Sequence, residues 1–118
     1  MLVWDETDLL TCLEVEPEVE ADGIWHKYSV KRNDITLNIH IYQYDGDVHF
    51  ELKQDTIELP LFEMKLIDCP GIKYNKVKSS EYLEFSHAKS FGSRHDGESG
   101  VKYGVRVNIN PSIQISLF

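Results

Sequence analysis

From Ile24 onward, apolar and polar residues alternate along most of the chain, and this pattern constrains the fold more than any other feature. It is clearest from Val101 to Ile109, where Val, Tyr, Val, Val and Ile occupy every second position. Successive side chains of a strand point to opposite faces, so such a segment has one apolar face and one polar face. The sequence therefore predicts antiparallel sheets that pack through their apolar faces.

Two turn signals place the first three strands. Asp45-Gly46 predicts a two-residue type I′ hairpin turn, because glycine adopts positive φ without strain. In that register Tyr42 faces His49, and His40 faces Glu51. A second turn at residues 33–34 completes a three-stranded meander.

Further strands are predicted at residues 57–67, 72–78, 81–87, 101–110 and 112–118. Ahead of the meander, the segment DETDLLTCL predicts one short helix, whose first turn Asp5 or Thr7 can cap. Leu9, Leu10 and Leu13 are expected to gather on its apolar side. The predicted fold class is all-β and mainly antiparallel, a β-sandwich or partly open barrel of about seven to nine strands with one short N-terminal helix.

The net charge of −8 is concentrated at one end of the chain. Residues 5–22 contain eight acidic residues and no lysine or arginine, which leaves 12 acidic and 12 basic residues in 23–118. We expect residues 1–118 to form a single domain, with an acidic N-terminal segment (5–22) and an antiparallel β body (23–118). The negative electrostatic field of the acidic segment repels nucleic acid and attracts basic proteins, so we expect no direct nucleic-acid partner.

Cysteine usage and the first residues favour the cytoplasm. Cys12 and Cys69 are too few and too far apart for a disulfide framework or a four-ligand zinc site, so we expect reduced thiols. The start of the chain, MLVWDETDLL, lacks the basic region and the apolar run of a signal peptide. No apolar window is long enough for a membrane span, so we expect no membrane partner.

Four glutamates recur at every second position: Glu14, Glu16, Glu18 and Glu20. Pro17 prevents a continuous helix through them. In an extended segment the carboxylates point one way at a spacing of about 6.8 Å. We predict that they engage lysines and arginines of a basic partner, the alternative being an acidic edge strand that deters aggregation by charge repulsion.

The predicted meander places Trp25, Tyr42 and His49 in one row across its polar face. Aromatic side chains in such a position are covered either by another part of the chain or by a partner. Because Trp and Tyr are frequent at the energetic centres of interfaces, these three residues join the four glutamates as the predicted partner-binding set.

The same face offers a metal alternative. His40, His49 and Glu51 could chelate a zinc-like ion if their side chains converged. Lys27 falls in the same predicted row and would repel a cation. We therefore expect cross-strand polar pairs there, with neither a metal nor a cofactor.

Residues 86–100, SHAKSFGSRHDGESG, are predicted to form a loop that is long for an all-β domain. The loop contains Arg94, His95, Asp96 and Glu98, whose spacing matches no phosphate cradle or nucleophile motif. We expect a solvated loop, and we identify no catalytic residue in the chain.

The acidic N-terminal segment is followed by GIWHKYSV and then by NDITLNIHIYQYDGDVHFEL. This order of features, over roughly residues 5–55, resembles small acidic immunity proteins of bacterial toxin systems. The resemblance implies a protein that binds one cognate toxin, often a basic nuclease, and blocks its active site or substrate surface. It assigns no individual residue, since such interfaces differ from pair to pair.

The leading hypothesis is a non-enzymatic inhibitor, monomeric or weakly dimeric, that binds a cognate toxin or another basic protein. Its acidic segment would speed association and its aromatic row would anchor the partner. A phage-encoded inhibitor of a host nucleic-acid-binding enzyme would use the same physics. The competing class is a small-molecule-binding or cupin-like metal-binding β-barrel, with a cavity lined by His26, Tyr28 or Tyr103.

Overall fold

The computed structural model describes residues 2–92 and 100–118, with side chains described for 2–86 and 103–118. In this part of the chain the elements are α1 (Glu6–Leu13), β1 (Glu18–Val19), β2 (His26–Arg32), β3 (Ile35–Tyr42), β4 (Asp47–Gln54), β5 (Phe62–Leu66), β6 (Ile72–Val77), β7 (Ser80–Gly92), β8 (Gly100–Asn108) and β9 (Gln114–Leu117). The strands form two antiparallel meanders, one in the order β1-β2-β3-β4-β5 and one in the order β6-β7-β8-β9. The predicted antiparallel all-β fold with one short helix is confirmed, and its form is a sandwich.

The core lies between the two sheets. Alternate residues of β2 to β5, β7 and β8 point inward, as the apolar pattern predicts, and their side chains are buried. At the centre, the ring of Phe50 on β4 meets the ring of Phe85 on β7 edge to face, with 4.9 Å between ring centroids. Aromatic pairs favour this arrangement, and it joins the two sheets directly.

Helix α1 closes one end of the sandwich. Asp5 caps its first turn by accepting a hydrogen bond from the Thr7 backbone N–H at 2.8 Å. The helix ends at Glu14, which adopts the left-handed conformation with φ 60° and donates its backbone N–H to the Leu10 carbonyl. The predicted cap is therefore confirmed in the form of Asp5.

The predicted apolar side of the helix is partly wrong. Leu9, Cys12 and Leu13 are buried, whereas Leu10 is 47% exposed. Positions i, i+3 and i+4 share one side of a helix, and this places Cys12 with the two buried leucines. Burial raises the pKa of the Cys12 thiol to about 11.

The turn at residues 33–34 is confirmed, since Arg32 pairs with Ile35. The hairpin register after it differs from the prediction by two residues. Tyr42 pairs with Asp47 across a four-residue loop, and His40 pairs with His49. A shift of two positions keeps every side chain on its predicted face, so the faces are correct while the pairings are not.

The loop at Gly46 explains the altered register. Gly46 has φ 81° and donates its N–H to the Tyr42 carbonyl, while Asp45 lacks the positive φ that a type I′ turn requires. The Gly46 carbonyl accepts a hydrogen bond from the Cys69 backbone N–H at 2.8 Å. A contact with the β5–β6 connection therefore helps to shape this turn.

Two predicted element boundaries are also wrong. Residues 57–61 form turns instead of the first half of a strand, and β5 begins only at Phe62. Strand β7 continues to Gly92, so residues 86–92 are not part of a loop. The predicted loop residues Arg94, His95, Asp96 and Glu98 lie outside the described residues.

Residues 2–4 tie the two sheets together. Val3 forms a parallel bridge with Gly71, just before β6, and the Leu2 backbone N–H donates to the Gln43 carbonyl in the β3–β4 loop.

Cys12 and Cys69 are both buried free thiols. None of the described helices is both long enough and apolar enough to cross a membrane.

Candidate protein-binding surface

The candidate site is the face of the five-stranded sheet that points away from the core, called the open face below. Its side chains alternate with the buried residues of β2 to β5. They are Lys27, Ser29, Lys31, Thr36, Asn38, His40, Tyr42, Asp47, His49, Glu51, Lys53, Glu63 and Lys65. The second sheet packs against the opposite side, so this face is available to a partner.

Four aromatic or imidazole rings meet at one end of the open face. Trp25 lies 6.1 Å from His40, His40 lies 6.5 Å from Tyr42, and Tyr42 lies 5.0 Å from His49, measured between ring centroids. All four side chains are half-buried. This aromatic cluster brings together the predicted row of Trp25, Tyr42 and His49, and it adds His40.

A polar network orders the centre of the open face. The Ser29 hydroxyl donates to the Asn38 side-chain oxygen at 2.7 Å, and the Asn38 amide donates to Glu51 at 3.1 Å. At one margin, Lys31 and Asp55 form an ion pair at 2.7 Å. These links run across neighbouring strands and hold the polar side chains in fixed positions.

The residues of the metal alternative are arranged differently from the prediction. His40 lies opposite His49, whereas Glu51 lies opposite Asn38 and accepts its hydrogen bond. Lys27 lies opposite His40 on the other side. Across residues 2–92 and 100–118, no group of three or more His, Cys, Asp or Glu is arranged to hold a metal ion.

Burial lowers the pKa of both open-face histidines. Repulsion from Lys27 lowers the pKa of His40 further, against the opposing effects of Glu51 and Glu18. Lys65 and His40 act in the same way on the pKa of His49, against Asp47. The aromatic cluster therefore carries neutral imidazoles at pH 7.

The four predicted glutamates do not form one extended row. Glu14 ends α1 and lies 3.6 Å from Arg32 in an ion pair. Only Glu18 and Val19 form a strand, in which Glu18 pairs with Lys27 and Val19 with His26. Glu16, Glu18 and Glu20 have no ion pair within the part of the chain that the structure describes. These three acids are called the acidic edge below. Glu18 pairs with Lys27 of the open face, and Glu20 donates its backbone N–H to the carbonyl of Trp25 in the aromatic cluster.

An exposed apolar segment was missed by the sequence interpretation. Ile57, Leu59, Leu61 and Phe62 are all exposed, Leu59 by 76%. Ile57 also lines a groove on the open face, with Asn38 and Lys53. The sequence IELPLF contains an indication of this exposure. A proline between two leucines interrupts a strand and leaves their side chains without a sheet face to pack on.

No protein-family model matches the chain, and no curated protein matches its sequence. Among solved structures, a chain of the contact-dependent growth inhibition toxin–immunity protein complex from Klebsiella pneumoniae 342 matches with a TM-score of 0.74. The match covers 97% of this chain and 92% of that chain, at 16% sequence identity. The two chains share a fold. The neighbour comes from the kind of complex that the sequence resemblance indicated.

The two histidines of the aromatic cluster lead to a prediction about pH. Their pKa values are lower in the folded chain, so the unfolded chain binds more protons below its own histidine pKa of about 6.5. The stability of the folded chain is therefore expected to decrease as the pH falls from about 6.5 toward the lowered pKa values. Urea unfolding at a series of pH values measures this slope.

The matched variant is the double substitution His40→Gln and His49→Gln. It is expected to flatten the pH dependence of unfolding in that window, because glutamine does not titrate. A variant with the same slope as the original chain would contradict the assignment to these two side chains.

Proposed function

We propose that this chain is an immunity protein that binds a cognate protein toxin and neutralises it. The proposal is supported by the fold that the chain shares, over nearly its full length, with a chain from a toxin–immunity protein complex. That complex contains a toxin and an immunity protein. The acidic charge of the present chain favours the immunity role, because a basic toxin surface is a natural partner for it.

The observation that carries the proposal is the position of the acidic edge beside the aromatic cluster. Glu18 pairs with Lys27 across β1 and β2, and Lys27 lies opposite His40 of the cluster. Negative charge and half-buried rings therefore border each other on one surface. Charged groups at an interface margin accelerate encounter, whereas buried aromatic side chains at its centre supply most of the affinity.

Inhibition on this surface requires binding alone. The cluster would lose its remaining water contact against the toxin, and the acidic edge would face lysines or arginines around the toxin's active site. A toxin that acts on an anionic substrate uses the same basic surface, so occupation by the acidic edge excludes that substrate. We assign the chain no chemical step.

Co-expression in bacteria tests the proposed function. We expect the toxin domain to be encoded beside the gene for this chain. Cells that produce that domain are expected to stop growing, and this chain is expected to restore their growth. The double variant Trp25→Ala and Tyr42→Ala is expected to fold but to protect poorly. Failure of the original chain to protect would contradict the proposal. Growth arrest by this chain alone would also contradict it and would indicate the toxin role.

A further inference from the structure

A cleft lies between helix α1 and the segment that follows it. Glu6 and Leu10 line its helix side, and Glu16 and Val19 line the opposite side. Tyr28 of β2 contributes the base of the cleft, beneath both walls. The cleft has a volume of about 330 Å³, which is enough for one long side chain. It is separate from the open face, because Tyr28 points toward the core side of β2.

The base of the cleft holds a buried polar atom without a partner. Tyr28 is only 1% exposed, and its hydroxyl has no hydrogen-bond partner among the described residues. A buried hydroxyl normally forms at least one hydrogen bond, and an unpaired one raises the free energy of the folded chain. Burial and the charge of Glu6 raise the pKa of this phenol, so it stays neutral. A donor that entered the cleft would supply the missing hydrogen bond.

The two walls carry carboxylates that remain available to a cation. One oxygen of Glu6 lies 2.7 Å from His26 Nε2, and its other oxygen has no partner among the described residues. Glu16 is exposed and has no ion pair within the described part of the chain. No lysine or arginine lines the cleft, and among the described residues the imidazole of His26, against Glu6, is the basic group paired with its carboxylates. An anionic ligand is therefore excluded.

Apart from Thr7, the remaining residues that line the cleft are apolar. Leu10 and Val19 are each about half exposed, and Pro17 lies between Glu16 and Glu18 on the same side. Apolar walls beside a pair of carboxylates fit a ligand with an aliphatic stem and a cationic head. Lysine and arginine side chains bury their stems in this manner while the charged group reaches polar partners.

We propose that this cleft binds an arginine side chain supplied by the protein partner. The inference rests on the proposed function, since the toxin provides the arginine. A guanidinium group has five N–H donors in one plane, so it can serve Glu6, Glu16 and the Tyr28 hydroxyl together. A lysine ammonium is a point charge with three donors and is expected to bind more weakly. The cleft would thus be a second contact, which shares Glu16 with the acidic edge and lies apart from the aromatic cluster.

The free chain and a small probe test this inference without a toxin. N-acetyl-argininamide is added to the ¹⁵N-labelled chain, and backbone amide shifts are followed by NMR. Saturable shifts are expected at Thr7, Leu10 and Val19, with a dissociation constant on the order of 1 mM. The matched ligand N-acetyl-citrullinamide has nearly the same shape without the charge, and it is expected to cause no saturable shift.

Two variants locate the binding groups. Glu16→Gln is expected to weaken probe binding about tenfold, since it removes a charge-assisted hydrogen bond. Tyr28→Phe is expected to weaken binding about fivefold without lowering the stability of the free chain, because its hydroxyl has no hydrogen bond to lose there. Glu58→Gln, an exposed acid outside the cleft, serves as the control and is expected to bind the probe normally.

Several results would overturn the inference. They are equal binding of the citrulline probe, saturable shifts confined to the open face, or unchanged binding by both Glu16→Gln and Tyr28→Phe. Its failure is distinguishable from failure of the proposed function. A chain that protects cells but does not bind the probe would refute the cleft alone. A chain that binds the probe but does not protect would refute the immunity role alone.

Discussion

Replacing Phe50 with alanine is expected to lower the free energy of unfolding by about 3–5 kcal/mol. Phe50 is buried between the two sheets, and its ring packs edge to face on Phe85. The truncation removes apolar surface from the core and leaves a cavity that the two sheets cannot fill without moving together. Since domains of this size have a total stability of about 5–15 kcal/mol, the variant would lose a large share of it.

Urea unfolding followed by circular dichroism measures this loss. Phe62→Ala is the matched control, because Phe62 lies on the adjacent strand β5 and is 39% exposed. It is expected to lose much less stability, since its ring remains partly in water in the folded chain. Equal losses for the two variants would show that the contact between Phe50 and Phe85 does not hold the sheets together.

Reversing the acidic edge is expected to slow association with the toxin by about 10- to 100-fold at low salt. The variant carries Glu16→Lys, Glu18→Lys and Glu20→Lys. Each reversal adds two positive charges, so the net charge changes from −8 to −2. Glu14 is left unchanged, because its ion pair with Arg32 ties it to the fold. Reversal of Glu18 and Glu20 is expected to change the dissociation rate little, since charges at an interface margin act mainly on encounter. Glu16 also lines the cleft that is proposed to bind an arginine, so its reversal is expected to speed dissociation as well.

Stopped-flow mixing with the purified toxin domain is carried out at a series of salt concentrations. A control variant of equal net charge distinguishes the effect of where the charges lie from the effect of the total charge. The control carries Asp45→Lys, Glu58→Lys and Asp68→Lys, which change the net charge equally at exposed positions in the β3–β4, β4–β5 and β5–β6 connections. The acidic-edge variant is expected to associate more slowly than the control, and the difference is expected to diminish as salt screens the charges. Equal rates for the two variants would remove the acidic edge from the mechanism.

The alternation of residues was sufficient to predict the strands and their faces, but the hairpin register depends on a distant contact. Apolar patterning distinguishes the two faces of a strand and cannot detect a shift of two positions. Here the Gly46 carbonyl accepts a hydrogen bond from the backbone N–H of Cys69, which lies far along the chain. Local turn preferences contain no information about that hydrogen bond. Likewise, the burial of Cys12 instead of Leu10 depends on how α1 packs on the sheets, which the sequence of the helix alone does not show.

The same reasoning explains which parts of the candidate site were predicted. Trp25, Tyr42 and His49 come together despite the altered register, because a shift of two residues leaves each on the open face. Glu14 leaves the predicted row because it ends the helix in a left-handed conformation. The cleft above Tyr28 could not be predicted, since it requires the position of α1 relative to β2. The contribution of each residue to partner binding stays a prediction.

The order of strands within the two sheets also bears on how the chain is synthesised. Each sheet is a meander, so every strand pairs with its neighbour in sequence and the first sheet is complete at Leu66. Short separations between paired segments favour rapid folding. A nascent chain can therefore assemble its first sheet hairpin by hairpin on the ribosome, but that sheet has an uncovered apolar face until β6 to β9 emerge. Translation speed through residues 67–118 thus sets how long this uncovered face is exposed to aggregation.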